Sequence, residues 1–180
     1  FNVLWNTLRI SLSSLIFGFP APLILALMLN ELRGQKFKRT VQTVTYLPHF
    51  ISLVVAVGLV LDFTKRDGII NDIMVMFGAE RISFMSESGF FTPIYVISGI
   101  WQEIGWGSII YLAALSGIDM ELYEAATIDG AGRWKKMIHV TLPGILPTVI
   151  IMLILRLGQV MSLGSEKIIL MYNDLIMDKA

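Results

Sequence analysis

Four stretches of this chain run for about 20 residues with almost no charge, the length an α-helix needs to cross the hydrocarbon core of a bilayer. Ile10 to Asn30 and Thr40 to Leu61 contain no Asp, Glu, Lys or Arg, and Ser88 to Ile118 contains one, Glu103. Met137 to Leu155 is also uncharged and continues through Arg156 to about Leu163. A core helix of a large soluble protein is the alternative for any one run, but four of them in 180 residues argue against it. Composition agrees, because only 16% of residues are charged, against about 25% in an average soluble domain. In the first run, Phe19-Pro20-Ala21-Pro22 predicts a kink, and Pro48 and His49 fall near the start of the second.

Net charge is zero, which gives no global bias toward nucleic acid. Cysteine is absent, so neither disulfides nor Cys-based metal sites arise. The chain starts at Phe1 without a signal-peptide layout and reads as an internal piece of a longer protein. The excess of Lys and Arg in short loops sets orientation. The link "NELRGQKFKR" holds Arg33, Lys36, Lys38 and Arg39, and the stretch from Gly117 to Pro143 adds Arg133, Lys135 and Lys136, so both face the cytoplasm. Asp62 to Gly89 mixes both signs and faces outward, as does the tail after Leu163, which is too polar to span. Ile69, Ile70, Ile73, Met74 and Phe77 in the outer loop share one helical face and predict a short helix on the outer surface.

The polar insert "EAATIDGAGRWKKMIHVTLP" interrupts the last two runs and reads as two helices. Asp119 is placed to cap a helix through Ile128, and Gly130 to stop it where a positive φ is needed. A second helix, from about Arg133, leads to Leu142-Pro143 and the next span. By residue type alone, an amphipathic link lying at the membrane interface fits equally well.

The spacing Glu124-Ala125-Ala126, three residues, Gly130, nine residues, Val140-Thr141-Leu142-Pro143 resembles the EAA motif, E-A-A-x3-G-x9-I-x-L-P. That motif marks the membrane subunits of binding-protein-dependent ABC importers, and the single departure is Val for Ile at position 140. "YLPHFISLVV", "DGIINDIMVMFG" and "GSEKIILMYN" are similar to its carbohydrate branch, in particular the subgroup importing complex oligosaccharides in Gram-positive bacteria. The resemblance implies an all-α integral membrane fold of the type I importer kind, in which this chain supplies four of six core spans, at about 10–30, 40–61, 88–118 and 143–163. It further implies that the 119–142 loop is a coupling helix seated in a cleft of a cytoplasmic ABC ATPase dimer. Glu124, Ala125, Ala126, Gly130, Leu142 and Pro143 would carry the coupling. Small alanines permit close backbone approach, and a carboxylate can pair with an Arg of the partner.

Other chemistry is missing from the sequence. "GAGRWKK" lacks the G-x4-G-K-[ST] order of a phosphate loop. His49 and His139 stand far apart with no ligand cluster, so no metal is expected, and each fits better as a satisfied interhelical or interfacial residue. No nucleophile-plus-base set exists, so the chain is expected to be a transport subunit without cofactors or catalysis of its own.

Two intramembrane charges mark a candidate pathway. Glu103 sits mid-span, where insertion costs roughly 2.5–3.5 kcal/mol and usually turns the residue toward the bundle or a watery path. Tyr95, Gly99, Gln102, Glu103 and Trp106 fall on one helical stripe, whereas Trp101 points nearly the opposite way, toward lipid. Rings beside an amide and a carboxylate suit a sugar, and a hydrogen-bonded helix–helix seam is the competing account of the stripe. Arg156 and Gln159 share a face at similar depth, so an Arg156–Glu103 ion pair is a further expectation, while Arg9 snorkels to the interface. Together these expectations describe a multi-pass permease of a bacterial cell membrane, importing oligosaccharides by alternating access. Its partners would be the ATPase dimer, a second homologous permease, an extracytoplasmic solute-binding protein (a lipoprotein if the host is Gram-positive) and membrane lipid. An importer of another solute class is the nearest rival, and an ATP-independent secondary transporter the next.

Overall fold

The structure is a computed structural model that describes residues 2–32, 34–160 and 165–171. Regular structure in these residues is helical throughout. Helices α1 (Asn2–Gly18) and α2 (Pro20–Glu31) join through Phe19, whose backbone stays helical at φ −70° and ψ −46°. Pro20 and Pro22 fall in the first turn of α2, where a missing N–H costs little, so the expected kink shrinks to one interrupted residue. Trp5–Glu31 is therefore one rod of 27 residues, about 40 Å long at 1.5 Å per residue, apolar enough to cross a membrane.

The second expected span is not straight. Helix α3 (Gln35–Tyr46) ends in a tight 3-10 turn, Leu47–Phe50, before α4 (Leu53–Thr64) begins. The axes before and after the break differ by 104°. Pro48 supplies no N–H inside the turn, and Ser52 starts α4 afresh by accepting the Val55 N–H at 3.4 Å. The run from 40 to 61 is thus a bent pair, a broken or re-entrant span.

Helix α5 (Ile69–Met76) forms in the 62–89 loop, where the spacing predicts a short helix. Buried Asn71 organises that loop: its amide donates to Lys65 O at 3.0 Å and Ile82 O at 2.8 Å, and its Oδ1 accepts the Ile82 N–H at 2.8 Å. Arg81 adds a 2.6 Å bond to Asp72.

The central helix is α6 (Ser88–Ser116), which packs against α1, α2, α3 and the Leu47–Phe50 turn. At 29 residues it is long enough to span, yet among the described helices only Trp5–Glu31 and Arg133–Gly158 are both long and apolar enough, or three counting the bent pair. Gln102 and Glu103 dilute its middle. Helices α7 (Met120–Ile128) and α8 (Arg133–Lys136) come next, then a π-helical turn, Met137–Thr141, and α9 (Leu142–Gly158), which also rests on α6.

Two clusters hold the bundle. Ile10, Val57, Phe91, Tyr95, Val96 and Met171 join α1, α4 and α6 to a short final helix, α10 (Ser165–Met171), and Ala26, Tyr111, Leu115 and Ile145 join α2, α6 and α9. Between spans, lipid is as apolar as leucine, so close packing is what holds such contacts. Gly105 shows this: a Cβ there would overlap the Thr45 carbonyl, so α3 and α6 touch backbone to backbone. The polar tail spans nothing in its described part, but α10 folds back against α4 and buries Lys167 and Met171.

Candidate functional site

The insert is built from local chemistry. The Asp119 carboxylate accepts the Glu121 N–H at 2.9 Å and starts α7. At the other end Gly130 adopts φ +74°, its N–H bonds Thr127 O at 3.0 Å, and the Ala131 N–H reaches Ala126 O at 2.9 Å. These two bonds form a Schellman cap, which needs the left-handed residue that glycine supplies without strain. Glu124 and Ala125 are exposed, Ala126 is half-buried, and Ile128 next to them is 88% exposed. Two side-chain bonds fasten α7 to the rod after it: Tyr123 OH with Thr141 Oγ1 at 2.9 Å, and Lys136 Nζ to Thr127 Oγ1 at 2.6 Å.

Beyond the cap the chain is more continuous than its sequence implies. Instead of a separate second helix and span, Arg133–Gly158 forms one 26-residue helical rod that crosses the expected boundary at 142–143. Pro143 has no N–H to give to a carbonyl four residues back, and the helix widens just before it. The Leu142 N–H bonds Met137 O, five residues back, which keeps the ladder going through the π turn. Leu142 is half-buried and opens α9, with Pro143 in its first turn. Residues 161–163, the end of the fourth expected span, lie outside the described residues.

Within the bundle, Tyr95, Gln102 and Glu103 of α6 line a cavity of about 390 Å³ together with Arg156 and Gln159 from the end of α9. Trp106 is not on its wall. It lies against His49 instead, with ring centroids 4.5 Å apart and planes 2° from parallel, and the edge of Phe50 closes the cluster. His49 Nδ1 stands 3.2 Å from one Glu103 oxygen and 3.3 Å from the other. Glu103 therefore pairs with His49, which the Leu47–Phe50 turn carries to α6, and not with Arg156; among the described residues no ion pair to Arg156 is formed. Gln102 donates to Ile51 O at 3.3 Å. The stripe thus makes a hydrogen-bonded seam toward the bent second span, and its residues other than Trp106 also border the cavity. Trp101, expected to face lipid, is 39% exposed and borders a small gap together with Ala56 and Val57 of α4.

Lys167 is the wall residue that the sequence did not reveal. Its Nζ donates to Tyr95 O at 3.0 Å and lies 4.5 Å from the centroid of the Tyr95 ring. Gly99 makes the room, since a Cβ there would stand 3.3 Å from Nζ. Burial pushes the ammonium down to about 8, with the Glu103 carboxylate pulling the other way. No signal in "GSEKIILMYN" marks this lysine, because its partner lies 72 residues away on α6. Among the described residues no three His, Cys, Asp or Glu side chains gather as metal ligands.

Comparison with known proteins adds a lineage to this geometry. A family model for the inner membrane component of binding-protein-dependent transport systems matches residues 18–171. Protein LplB of Bacillus subtilis is 48% identical over 176 residues, which are 97% of this chain and 55% of LplB. The polygalacturonan/rhamnogalacturonan transport system permease protein YteP of Bacillus subtilis is 45% identical over 174 residues, 96% of this chain and 54% of that protein. A crystal structure of a bacterial ABC transporter involved in import of the acidic polysaccharide alginate superposes with a TM-score of 0.96 at 44% identity, covering 99% of this chain and 63% of that one. The chain spans about half the length of the curated relatives it matches.

Proposed function

The chain belongs to the family of inner membrane components of binding-protein-dependent transport systems, and from that membership we propose that it translocates oligosaccharides by alternating access driven by a separate ATPase. As a permease subunit of a bacterial plasma membrane it is a transport component and not an enzyme. Names of relatives support a saccharide cargo, among them the permeases for polygalacturonan/rhamnogalacturonan and for arabinooligosaccharides. Its partners in this account are a cytoplasmic ATPase dimer, a second homologous permease and an extracytoplasmic solute-binding protein. The bacterial alginate ABC transporter has been solved in complex with a periplasmic protein carrying an alginate pentasaccharide, which supports the last of these. The spans of this chain would be four of six in the permease core, the second of them bent.

The single observation that carries the mechanism is the α7 cap joined to the Arg133–Gly158 rod. Glu124, Ala125 and Ala126 offer the ATPase a small-residue surface with one carboxylate, and Gly130 sets the reversal into the rod. Tyr123–Thr141 and Lys136–Thr127 hold α7 to the rod's base, so a push on α7 would tilt α9 with it. Leu142 and Pro143 would set the angle at which the rod enters the membrane. Charge reversal tests this. In the reconstituted importer Glu124→Lys should leave the permease inserted and the ATPase active while abolishing ATP-driven uptake; normal uptake would sink the coupling role.

A further inference from the structure

We propose that Arg156 and Lys167 make the cavity selective for saccharides that carry carboxylates over neutral ones. The proposal rests on the importer function above and names the class of cargo within it. Its basis is the charge on the wall. Two cations and one carboxylate face the space, and the carboxylate is already held by His49. Lys167 spends one N–H on the Tyr95 carbonyl and is only 9% exposed, so its ammonium is built into the wall and is not a freely solvated chain. Arg156 reaches the same cavity from α9, its guanidinium lying close to Gly18 of α1.

Arg156 lies in the Arg133–Gly158 rod, which is apolar enough to cross a membrane, and a charge there is costly and generally faces a partner or a watery path. Among the described residues, neither cation is paired with a carboxylate within ion-pair distance. A cargo carboxylate supplies that partner: guanidinium binds it through two parallel N–H···O bonds and ammonium adds a point charge. A second observation points to a ligand independently. Ser11, 4% exposed on the same wall, has a hydroxyl with no hydrogen-bond partner among the described residues. A buried donor left alone costs about 1–3 kcal/mol, and a sugar hydroxyl would satisfy it. The volume, about 390 Å³, lies in the usual range of roughly 300–1,000 Å³ for small-molecule sites.

Equilibrium binding to the full-length importer, purified without its solute-binding protein, tests the assignment. The probes are labelled trigalacturonate and its neutral methyl ester. The acid should bind at least about tenfold more tightly, a difference of about 1.4 kcal/mol. Arg156→Gln and Lys167→Gln should each bring the ratio toward one by weakening the acid alone, whereas Lys167→Arg should keep it. Equal affinities in the unaltered importer, an unchanged ratio in both glutamine variants, or no binding of either probe at millimolar concentration would each overturn it. ATP-driven uptake of neutral saccharides, measured separately, distinguishes selectivity from transport itself: uptake with equal affinities leaves the importer function standing and removes only the selectivity.

Discussion

His49 holds Glu103 across 54 residues of sequence, with Nδ1 3.2 Å from a carboxylate oxygen while its ring lies flat on Trp106. One imidazole thus performs two tasks, a polar one toward Glu103 and an apolar one toward Trp106. Substitution separates them. His49→Phe keeps the stacked ring and loses the polar bond; His49→Ala loses both. The alanine variant should be less stable than the phenylalanine variant by at least about 0.5–1.5 kcal/mol, the worth of aromatic pairing beyond the ring's buried area. Thermal unfolding in detergent would measure this, and equal stabilities would mean that the stacking contributes nothing.

Gly130 tests the turn beneath α7. At φ +74° a side chain with a Cβ costs about 1–2 kcal/mol, and a β-branched one clashes further. Gly130→Val should deform the Schellman cap without disturbing the spans. Uptake should fall at least tenfold while ATP hydrolysis continues, measured together in proteoliposomes.

Glycine-to-alanine changes on α6 should diverge according to what each glycine faces. At position 105 the new methyl meets the Thr45 backbone, which cannot step aside, so Gly105→Ala should cost about 1–3 kcal/mol. At position 99 it meets the end of a flexible lysine, so Gly99→Ala should leave stability level or raise it by up to about 1 kcal/mol through the helix preference for alanine. Melting temperatures of the two variants in the same detergent decide it. A Gly105→Ala melting temperature no lower than that of the unaltered protein would mean that α3 and α6 cross with room for a methyl between them.

Asn71 should control order in the 62–89 loop. Removing its amide leaves both backbone polar groups of Ile82 without partners, at about 1–3 kcal/mol for each that stays buried, while the Lys65 carbonyl keeps the Gly68 N–H. In Asn71→Ala, hydrogen exchange at the Ile82 amide should speed up at least tenfold while amides of α9 keep their protection. Unchanged exchange at Ile82 would show that Arg81 alone suffices.

What could be read from the sequence was local. The Asp119 cap, the reversal at Gly130 and helix α5 each depend on residues within a few positions of one another, and each is where the residue types put it. The EAA spacing carried the family for the same reason. Long-range geometry was hidden. The 104° bend leaves hydropathy untouched, because Leu47–Phe50 is as apolar as the helices it joins. Glu103 has a cation candidate at similar depth in Arg156, and only the bend reveals that His49 arrives first. Lys167 reads as part of a solvated tail, since nothing near it foretells a 72-residue return to Tyr95.

The π turn at Met137–Thr141 also shifts the helical phase of the insert. A turn closed by an i→i−5 bond holds one residue more than an α-turn, and each residue in a helix sweeps about 100°. Counting faces from α9 back into α8 therefore goes out of phase by about that angle. Trp134 and Lys136 point to a different compass bearing than an unbroken α-wheel drawn through the rod would give them. Deleting a single residue between 137 and 141 would restore the phase and leave every side chain's identity upstream intact. It would also turn the insert as a unit relative to α9 and draw Tyr123 away from Thr141, so the insert would present the right residues on the wrong side.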